Sequence, residues 1–471
     1  MQSVSTHPKS RQTSSVTRRT FVQAGAAAAL TAASWKRVYG ANERIGIGLI
    51  GFGLVGRVHT RNFHAQPDVN LVGVADVYGP RREEAKALVG DQALYTNDFR
   101  KLLDRKHVDA VVVATPDHWH ALQTIMACAA GKDVYVEKPL NLFVREGRWM
   151  IDVARRYSRV VQLGTQQRSA PHYQQAKRLL RAGRIGKLVS VQCDFFRNLM
   201  PGFGNPPDQD PPADLDWEMM LGPAPQHSYN PNRGIYHFRW FWDYSGGQMT
   251  NLGQHSLDIV DWIMDNKGPL AVSSSGGRFF LQDNCETPDT QDVIIEYPGF
   301  NTVCQYRECT AGLSETGMGS LVFLGTNGTM MLGRDGYQII ADKKMDPIDQ
   351  VARILGGHPV GGPQPVERKG PPALWTDPAR VQSGNAAQQY VLHARNFLAC
   401  IRSRQTPSSD LESAHRVATT CHLANISLRT GRKIRWDAEK EEIVGDPQAA
   451  RMLVRPYRQP WDRELRALGI G

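Results

Sequence analysis

The chain is poor in the features that would make it a disulfide, zinc, nucleic-acid or membrane protein. Its 471 residues hold seven cysteines, an odd number, spread apart except for Cys304 and Cys309, with no C-x-x-C pair. This argues against a disulfide framework and against a zinc site built on cysteine pairs. It leaves mostly buried free thiols, as in a protein folded under reducing conditions. No basic run is interleaved with aromatics, so the net charge of +10 does not mark a nucleic-acid surface. Four of those charges, Lys9, Arg11, Arg18 and Arg19, lie in the first 34 residues, which contain no acid. No apolar run is long enough to span a bilayer stably, and no internal repeat is present. The remaining composition, 41% hydrophobic and 22% charged, is that of an ordinary globular protein. The length exceeds the usual size of one core, so two domains are expected.

The N-terminus reads as an address. Thr17-Arg18-Arg19-Thr20-Phe21-Val22 sets paired arginines ahead of an Ala-rich stretch, Ala24 to Ala33, and the first acid is Glu43. Residues 1–40 resemble a twin-arginine export signal, which predicts a periplasmic or otherwise exported protein. That route carries folded chains, so a cofactor would travel inside. At an association rate of roughly 10⁶ M⁻¹s⁻¹, retention for hours needs a Kd near about 10⁻¹⁰ M.

Residues 43–165 carry the pattern of a dinucleotide-binding domain. Arg44 to Ile50 reads as a buried parallel strand, and Gly51-Phe52-Gly53-Leu54-Val55-Gly56 follows it into a helix. Gly51 allows the tight turn, Gly53 lets the backbone approach a pyrophosphate, and Gly56 lets helix and strand pack closely. A second strand ends at Asp76, whose carboxylate suits the adenosine ribose hydroxyls and favours NAD over NADP. Arg81 and Arg82 nearby keep NADP open. A third strand, 108–114, leads into Thr115, Pro116, His118 and His120 at its C-terminal end, where open parallel sheets hold ligands. His118 and His120 flank Trp119 without a third ligand, so no metal site is expected. Strand 133–137 ends in Glu137-Lys138-Pro139, where the proline favours an extended Lys138 reaching the nicotinamide side.

Three segments in order, "GLIGFGLVGRVH", "VVATPDHWHA" and "VYVEKPL", followed by "GGQMTNLGQHSLDIVDW", resemble the glucose-fructose oxidoreductase/inositol dehydrogenase (Gfo/Idh/MocA) family. The resemblance covers roughly residues 43–440. It implies an α/β fold: an N-terminal Rossmann domain, then a C-terminal α/β substrate domain, 166–440, with a large, mainly antiparallel open sheet. It further implies that Lys138 matches the family's active-site lysine. Residues 441–471 read as a C-terminal arm over the chain's own domain or a partner subunit. An exposed sheet of this kind suggests a homo-oligomer.

The second half of the site is expected around residues 236–262. Asn251, His255, Asp258 and Trp262 recur at spacings of four, three and four, one stripe on a helix beginning near Gln248. The family pattern often has an acid where this chain has Asn251, while its histidine falls on His255 and its later acid on Asp258. Loss of that acid leaves His255 or Lys138 to carry proton transfer, with Asp258 orienting the imidazole if geometry permits. Trp217, Trp240 and Trp242, with Tyr236, His237 and Arg239, suit the apolar faces and hydroxyls of a sugar. Arg168 is a further candidate for substrate or cofactor contact.

These features predict an NAD(P)-dependent oxidoreductase acting on a CH–OH group of a sugar, cyclitol or glycoside, with tightly bound cofactor. Lys138 and His255 are the expected catalytic pair. A redox-neutral glycosidase or lyase working through transient oxidation is the alternative enzyme, and a sugar sensor the non-catalytic one.

Overall fold

The computed structural model describes residues 43–311, 321–344, 373–383 and 387–470, together with 354 and 356. The twin-arginine stretch lies outside these residues, as does most of 341–385.

The first sheet is built from β1 (Ile45–Ile50), β2 (Val69–Ala75), β3 (Leu94–Thr96), β4 (Ala110–Val113), β5 (Asp133–Val136) and β6 (Val161–Leu163). Its order is β3-β2-β1-β4-β5-β6 and every pairing is parallel. β1, β4 and β5 are buried at every residue, because helices cover both faces. That is why they read as continuous apolar runs rather than alternations. The chain runs outward from β1 to β3 and then returns to β4 on the other side of β1. The crevice of this reversal opens at the carboxyl ends of the strands. Gly51, Asp76, Thr115, Glu137 and Lys138 all follow strand ends there.

The second sheet comprises β7 (Leu188–Phe196), β8 (Ala271–Gly277), β9 (Thr290–Tyr297), β10 (Phe300–Arg307), β11 (Leu321–Gly325), β12 (Gly328–Gly333), β13 (Gly336–Ala341), β14 (Ala379–Gln382), β15 (Ile434–Asp437) and β16 (Glu442–Ile443). Its order is β14-β13-β12-β11-β7-β10-β9-β8-β15-β16, antiparallel except for the β7–β10 pair. Burial alternates along β10, with Phe300, Thr302, Cys304 and Tyr306 turned to the core. So, among the described residues, one face of this sheet is turned to the core and the other is the more exposed. All seven cysteines are free and six are buried.

Three segments remote in sequence close on the first sheet. Helix Gln388–Ser403 lays Phe397 against Phe63 and Tyr135, and its Arg395 and Arg402 both grip Asp68. The loop after β7 returns to the end of β2, where Asp214 O accepts from Gly79 N (2.8 Å) and Val77 O from Asp216 N (3.0 Å). The C-terminal arm lies over its own chain. Trp461 packs edge-on against Trp119 (4.8 Å), Tyr457 Oη donates to Glu146 (2.7 Å), and Arg458 Nε donates to Gly222 O (3.0 Å). The described residues from Ile45 onward thereby form one compact unit.

Candidate active site

A cleft of ≈ 1410 Å³, its open mouth included, runs along the carboxyl ends of the first sheet. One wall is the glycine turn with Asp76, Arg81, Thr115, Pro116, Asp117, Glu137 and Lys138. The other is Met219, Met220, Ile235, Tyr236, Phe238 and Arg239 from the loop after β7, with Asn251 and His255.

The three glycines of the turn do different work. Gly51 has φ +95°, and a Cβ there would meet Ala114 O at 2.6 Å. A Cβ on Gly56 would lie 2.3 Å from Gly51 O, so Gly56 is required by packing of the turn and does not face the cleft. A Cβ on Gly53 would point into open space, with nothing nearer than Arg81 Nη1 at 3.6 Å. Helix Leu54–His64 then starts with no side-chain cap and no acid in its first turn, leaving its N–H groups and positive dipole toward the cleft. Leu54 and Val55 line the cleft. Phe52 does not: its ring is buried in the core, and its N–H donates to Asp76 Oδ2 (2.7 Å). Asp76 Oδ1 accepts from Tyr78 N (2.9 Å), and Arg81 Nη1 stands 3.9 Å from Oδ2. Asp76 therefore braces the glycine turn as well as facing the cleft. A carboxylate accepts more than two hydrogen bonds, so acceptor capacity remains for a ribose. An uncapped helix start, an open Gly53 and a carboxylate at the end of β2 fit a dinucleotide: Leu54 and Val55 would face its phosphates and Asp76 its adenosine ribose.

His118 and His120, expected at the cofactor, are both turned away. His118 Nε2 meets Met220 O (3.0 Å), its ring packs on Tyr244, and burial pulls its pKa down to about 3. His120 lies between Pro139 O (2.6 Å) and Thr115 O (2.9 Å) and ties the two loop ends together. Among the described residues no group of three or more metal-ligating side chains occurs. Their neighbours Asp117 and Trp119 do line the cleft, and Asp117 is buried and bonded to Ser245 Oγ, with burial raising its pKa.

Lys138 is the best-defined group of the site. Its Nζ donates to both oxygens of Asn251, Oδ1 at 2.8 Å and the backbone O at 3.0 Å. Burial pulls its pKa down to about 8, against the pull of the neighbouring Glu137. Glu137 is held in turn by His59 Nε2 (2.6 Å) and by the Lys138 N–H (3.0 Å). Behind Asn251 runs a chain of hydrogen bonds that sequence reading does not reveal. Asn251 Nδ2 donates to Gln248 Oε1 (3.2 Å), and Gln248 Nε2 donates to Glu308 Oε1 (2.6 Å). Glu308 also takes Arg197 Nε (2.9 Å) and Trp240 Nε1 (2.5 Å), groups that can only donate. Gln248 must therefore turn its amine to Glu308 and its oxygen to Asn251. That in turn aims the Asn251 oxygen at Lys138.

The expected stripe of Asn251, His255, Asp258 and Trp262 splits. The helix breaks at Leu252 into Gly247–Asn251 and Gly253–Met264. Asn251 and His255 face the cleft. Asp258 does not orient His255: it forms a buried fork with Arg168, Nε to Oδ2 at 2.8 Å and Nη2 to Oδ1 at 2.7 Å. Arg168 completes its bonds on Ser408 O and Ser413 Oγ, both 3.0 Å. Neither residue lines the cleft, because each needs the other as a counter-charge in the interior. His255 Nδ1 is buried without a partner among the described residues. Burial and the charges of Lys138 and Arg334 hold its pKa well below the ordinary value, so the ring is neutral.

The aromatic wall also differs from expectation. Trp240 is a packing residue bound to Glu308, and Trp217 is buried with Nε1 on His227 O (2.9 Å). Trp242 lies under Arg429, whose guanidinium is 4.9 Å from the ring centroid. His237 packs tilted against Phe203, ring centroids 4.0 Å apart, and stays off the cleft. Tyr236, Phe238 and Arg239, interleaved with His237 and Trp240, are the ones that reach it.

A parallel sheet with its phosphate turn at the switch point, joined to a large open sheet, defines a two-domain dinucleotide-binding protein. Comparison with known proteins narrows this. Residues 45–165 match the model of the oxidoreductase family's NAD-binding Rossmann fold, and residues 196–276 and 385–463 match that of its C-terminal alpha/beta domain. The two together span more than half the chain, which belongs to this Gfo/Idh/MocA oxidoreductase family. Its N-terminal domain is the NAD-binding one, so NAD is the cofactor to which the fit above applies.

Among similar proteins is the rhizopine catabolism protein MocA of Rhizobium meliloti, 32% identical over 47% of this chain and 57% of its own length. Another is the scyllo-inositol 2-dehydrogenase (NAD(+)) of Bacillus subtilis (strain 168), 29% identical over 54% and 63%. The chain thus spans roughly three-fifths of the length of these relatives. The fold is shared with a levoglucosan dehydrogenase solved with NADH and levoglucosan (TM-score 0.63, 17% identity, 83% of this chain and 99% of that one). It is shared too with GenD2 from gentamicin A biosynthesis, solved with NAD (0.59, 22%, 85% and 99%). Among the described residues no helix is long and apolar enough to cross a membrane.

Proposed function

We propose that this protein is an NAD-dependent dehydrogenase acting on a CH–OH group of a sugar, cyclitol or glycoside. The observation that carries the reading is Lys138 Nζ held by both oxygens of Asn251 inside the cleft of the glycine turn. A neutral lysine has two N–H groups and one lone pair. With both N–H groups given to Asn251, the lone pair is left to accept a hydroxyl proton. A pKa of about 8 makes that neutral form accessible near physiological pH. His255, neutral and unpartnered at Nδ1, supplies a second hydrogen-bonding group for the same substrate. When bound, NAD supplies the hydride acceptor. The names of the inositol and levoglucosan dehydrogenases support the substrate class.

The finer parts of the proposal concern retention, export and assembly. The loop after β7 lines the cleft and is strapped by the C-terminal arm, which supports a cofactor held through many turnovers, the hydride taken from one sugar being passed on to the carbonyl of a second so that NAD is regenerated in place. Residues 1–40 then act as a twin-arginine signal for export of the loaded enzyme. A homo-oligomer through the open sheet completes the picture. NAD rather than NADP follows from Asp76, with Arg81 beside it.

The test is a panel of sugars, cyclitols and glycosides with products identified by mass spectrometry. Oxidised sugar is expected, with one equivalent of bound NADH formed and further turnover once a carbonyl sugar is added to re-oxidise it. Cleaved glycoside with no lasting NADH would replace the reading by redox-neutral hydrolysis, and no product from any compound would contradict it. Denatured, freshly purified protein should release NAD(H) in near-stoichiometric amount, and empty protein would contradict retention. Arg18→Lys with Arg19→Lys should leave the protein in the cytosolic fraction. Undiminished export would contradict the signal.

A further inference from the structure

We infer that the substrate carries a carboxylate and that Arg239 receives it. This rests on the dehydrogenase reading above and narrows it to sugar acids. Arg239 lies in the short 3-10 turn His237–Trp240 and lines the cleft together with Lys138, Asn251 and His255. Its guanidinium carbon sits 5.0 Å from the ring centroid of Tyr236 and 4.7 Å from that of Phe238. One amine donates to Tyr236 O at 2.8 Å. These contacts fix the group but do not neutralise it.

Four other arginines around the cleft and the loop beside it have acids. Arg81 stands by Asp76, Arg168 is forked on Asp258, Arg197 is on Glu308 and Arg455 on Asp243. Among the described residues, no carboxylate comes within ion-pair distance of Arg239. The acid whose field reaches it, Asp117, is tied to Ser245, and burial pushes that carboxyl toward its neutral form. Burial also works against the charge on Arg239 itself. A cation withdrawn from water without a counter-charge is costly, and an arriving anion offsets that cost.

A second cation, Lys138, stands at this end with Glu137 beside it, and the field of Arg334 reaches both Lys138 and His255. The planar guanidinium fork matches a carboxylate, bidentate, better than it matches hydroxyls. The cofactor's phosphates have their own seat at the uncapped helix start and Arg81, on the glycine turn. Tyr236 and Phe238 offer apolar surface beside the fork for a ring's C–H face. Together they describe a uronate, an aldonate or a glycoside bearing one.

The experiment compares glucuronate, galacturonate and gluconate with their uncharged methyl esters and with glucose and myo-inositol. It uses the NAD-loaded full chain, reading calorimetric binding and NADH formation. At least one acid should be preferred over its ester by roughly 10- to 100-fold, the range of a charge-assisted pair. Arg239→Gln should bring that ratio near one with NAD(H) content unchanged, and Arg239→Lys should retain part of it. Esters and neutral sugars bound as well as the acids by the wild type would overturn the inference without any variant. So would Arg239→Gln losing NAD(H) while keeping the acid preference, since that assigns the arginine to the cofactor's phosphates. Turnover confined to neutral sugars contradicts this inference alone, whereas turnover of neither class contradicts the dehydrogenase reading beneath it.

Discussion

The two walls of the cleft are made on different plans. The wall on the parallel sheet is largely backbone: a glycine turn, an uncapped helix start and strand ends in series. The facing wall is side chain: Asn251, His255, Tyr236 and Arg239, each aimed by groups far away in sequence. A backbone wall is specified by adjacent residues and tolerates change beside it. A side-chain wall is only as well placed as its supports. Here the supports are Glu308, 60 residues from the Gln248 it orients, and Asn251, 113 residues from the Lys138 it holds.

The largest effect that would sharpen this contrast is at their junction. Lys138→Ala should lower kcat by about 10²–10⁴-fold, the usual contribution of a positioned acid or base. NAD(H) content on denaturation should be unchanged, because the backbone wall is intact. Undiminished turnover would remove Lys138 from proton transfer. Next is Arg168→Ala, which strands Asp258 in the interior. Urea melts should show a loss of about 3–5 kcal/mol. A variant of full stability with weakened substrate binding would instead return Arg168 to the substrate.

Smaller still are substitutions within the backbone wall. Gly53→Ala should cost less than about 0.5 kcal/mol in stability, since its Cβ meets nothing of the protein nearer than 3.6 Å. It should weaken NAD by about 10-fold, roughly 1.4 kcal/mol, by filling the phosphate approach. Gly51→Ala is the control: with φ +95° and a 2.6 Å approach to Ala114 O it should destabilise the fold itself. Equal behaviour of the two variants would break the distinction between a cofactor-facing and a packing glycine. Subtlest is Glu308→Gln, which lets Gln248 turn over and Asn251 present its amine to Lys138. Losing an acceptor disfavours the ammonium form, so the ionisation governing kcat should move to lower pH. A mere packing defect would lower kcat without moving that ionisation.

The contrast also explains what could be read from the chain. The backbone wall was legible because its signals are local: alternation lost in β1 and β4, three glycines at fixed spacing, an acid at the end of β2. Lys138 was legible through the same strand-end logic and the family resemblance. His118 and His120 misled because position on a loop does not say which way a ring turns. Carbonyls of Met220, Pro139 and Thr115 lie behind them. The Asn251–Trp262 stripe assumed one continuous helix, and the break at Leu252 left Asp258 facing Arg168 instead of His255. Glu308 and Gln248 carry no local mark at all. A glutamate ending a strand is common, and only the fold brings it behind the cleft. In sequence Trp240 suits a sugar platform as well as a core, because aromatic content marks packing and binding alike.

The most direct measurement is the pH dependence of single-turnover NADH formation by the NAD-loaded wild type and by Lys138→Met. A base with a pKa lowered to about 8 must lose its proton before it can take another. The wild-type rate should therefore rise with pH, be half-maximal near pH 8, and show that one ionisation, while Lys138→Met should lose both the rate and the ionisation. A variant that forms NADH at the wild-type rate with the same profile would contradict the account.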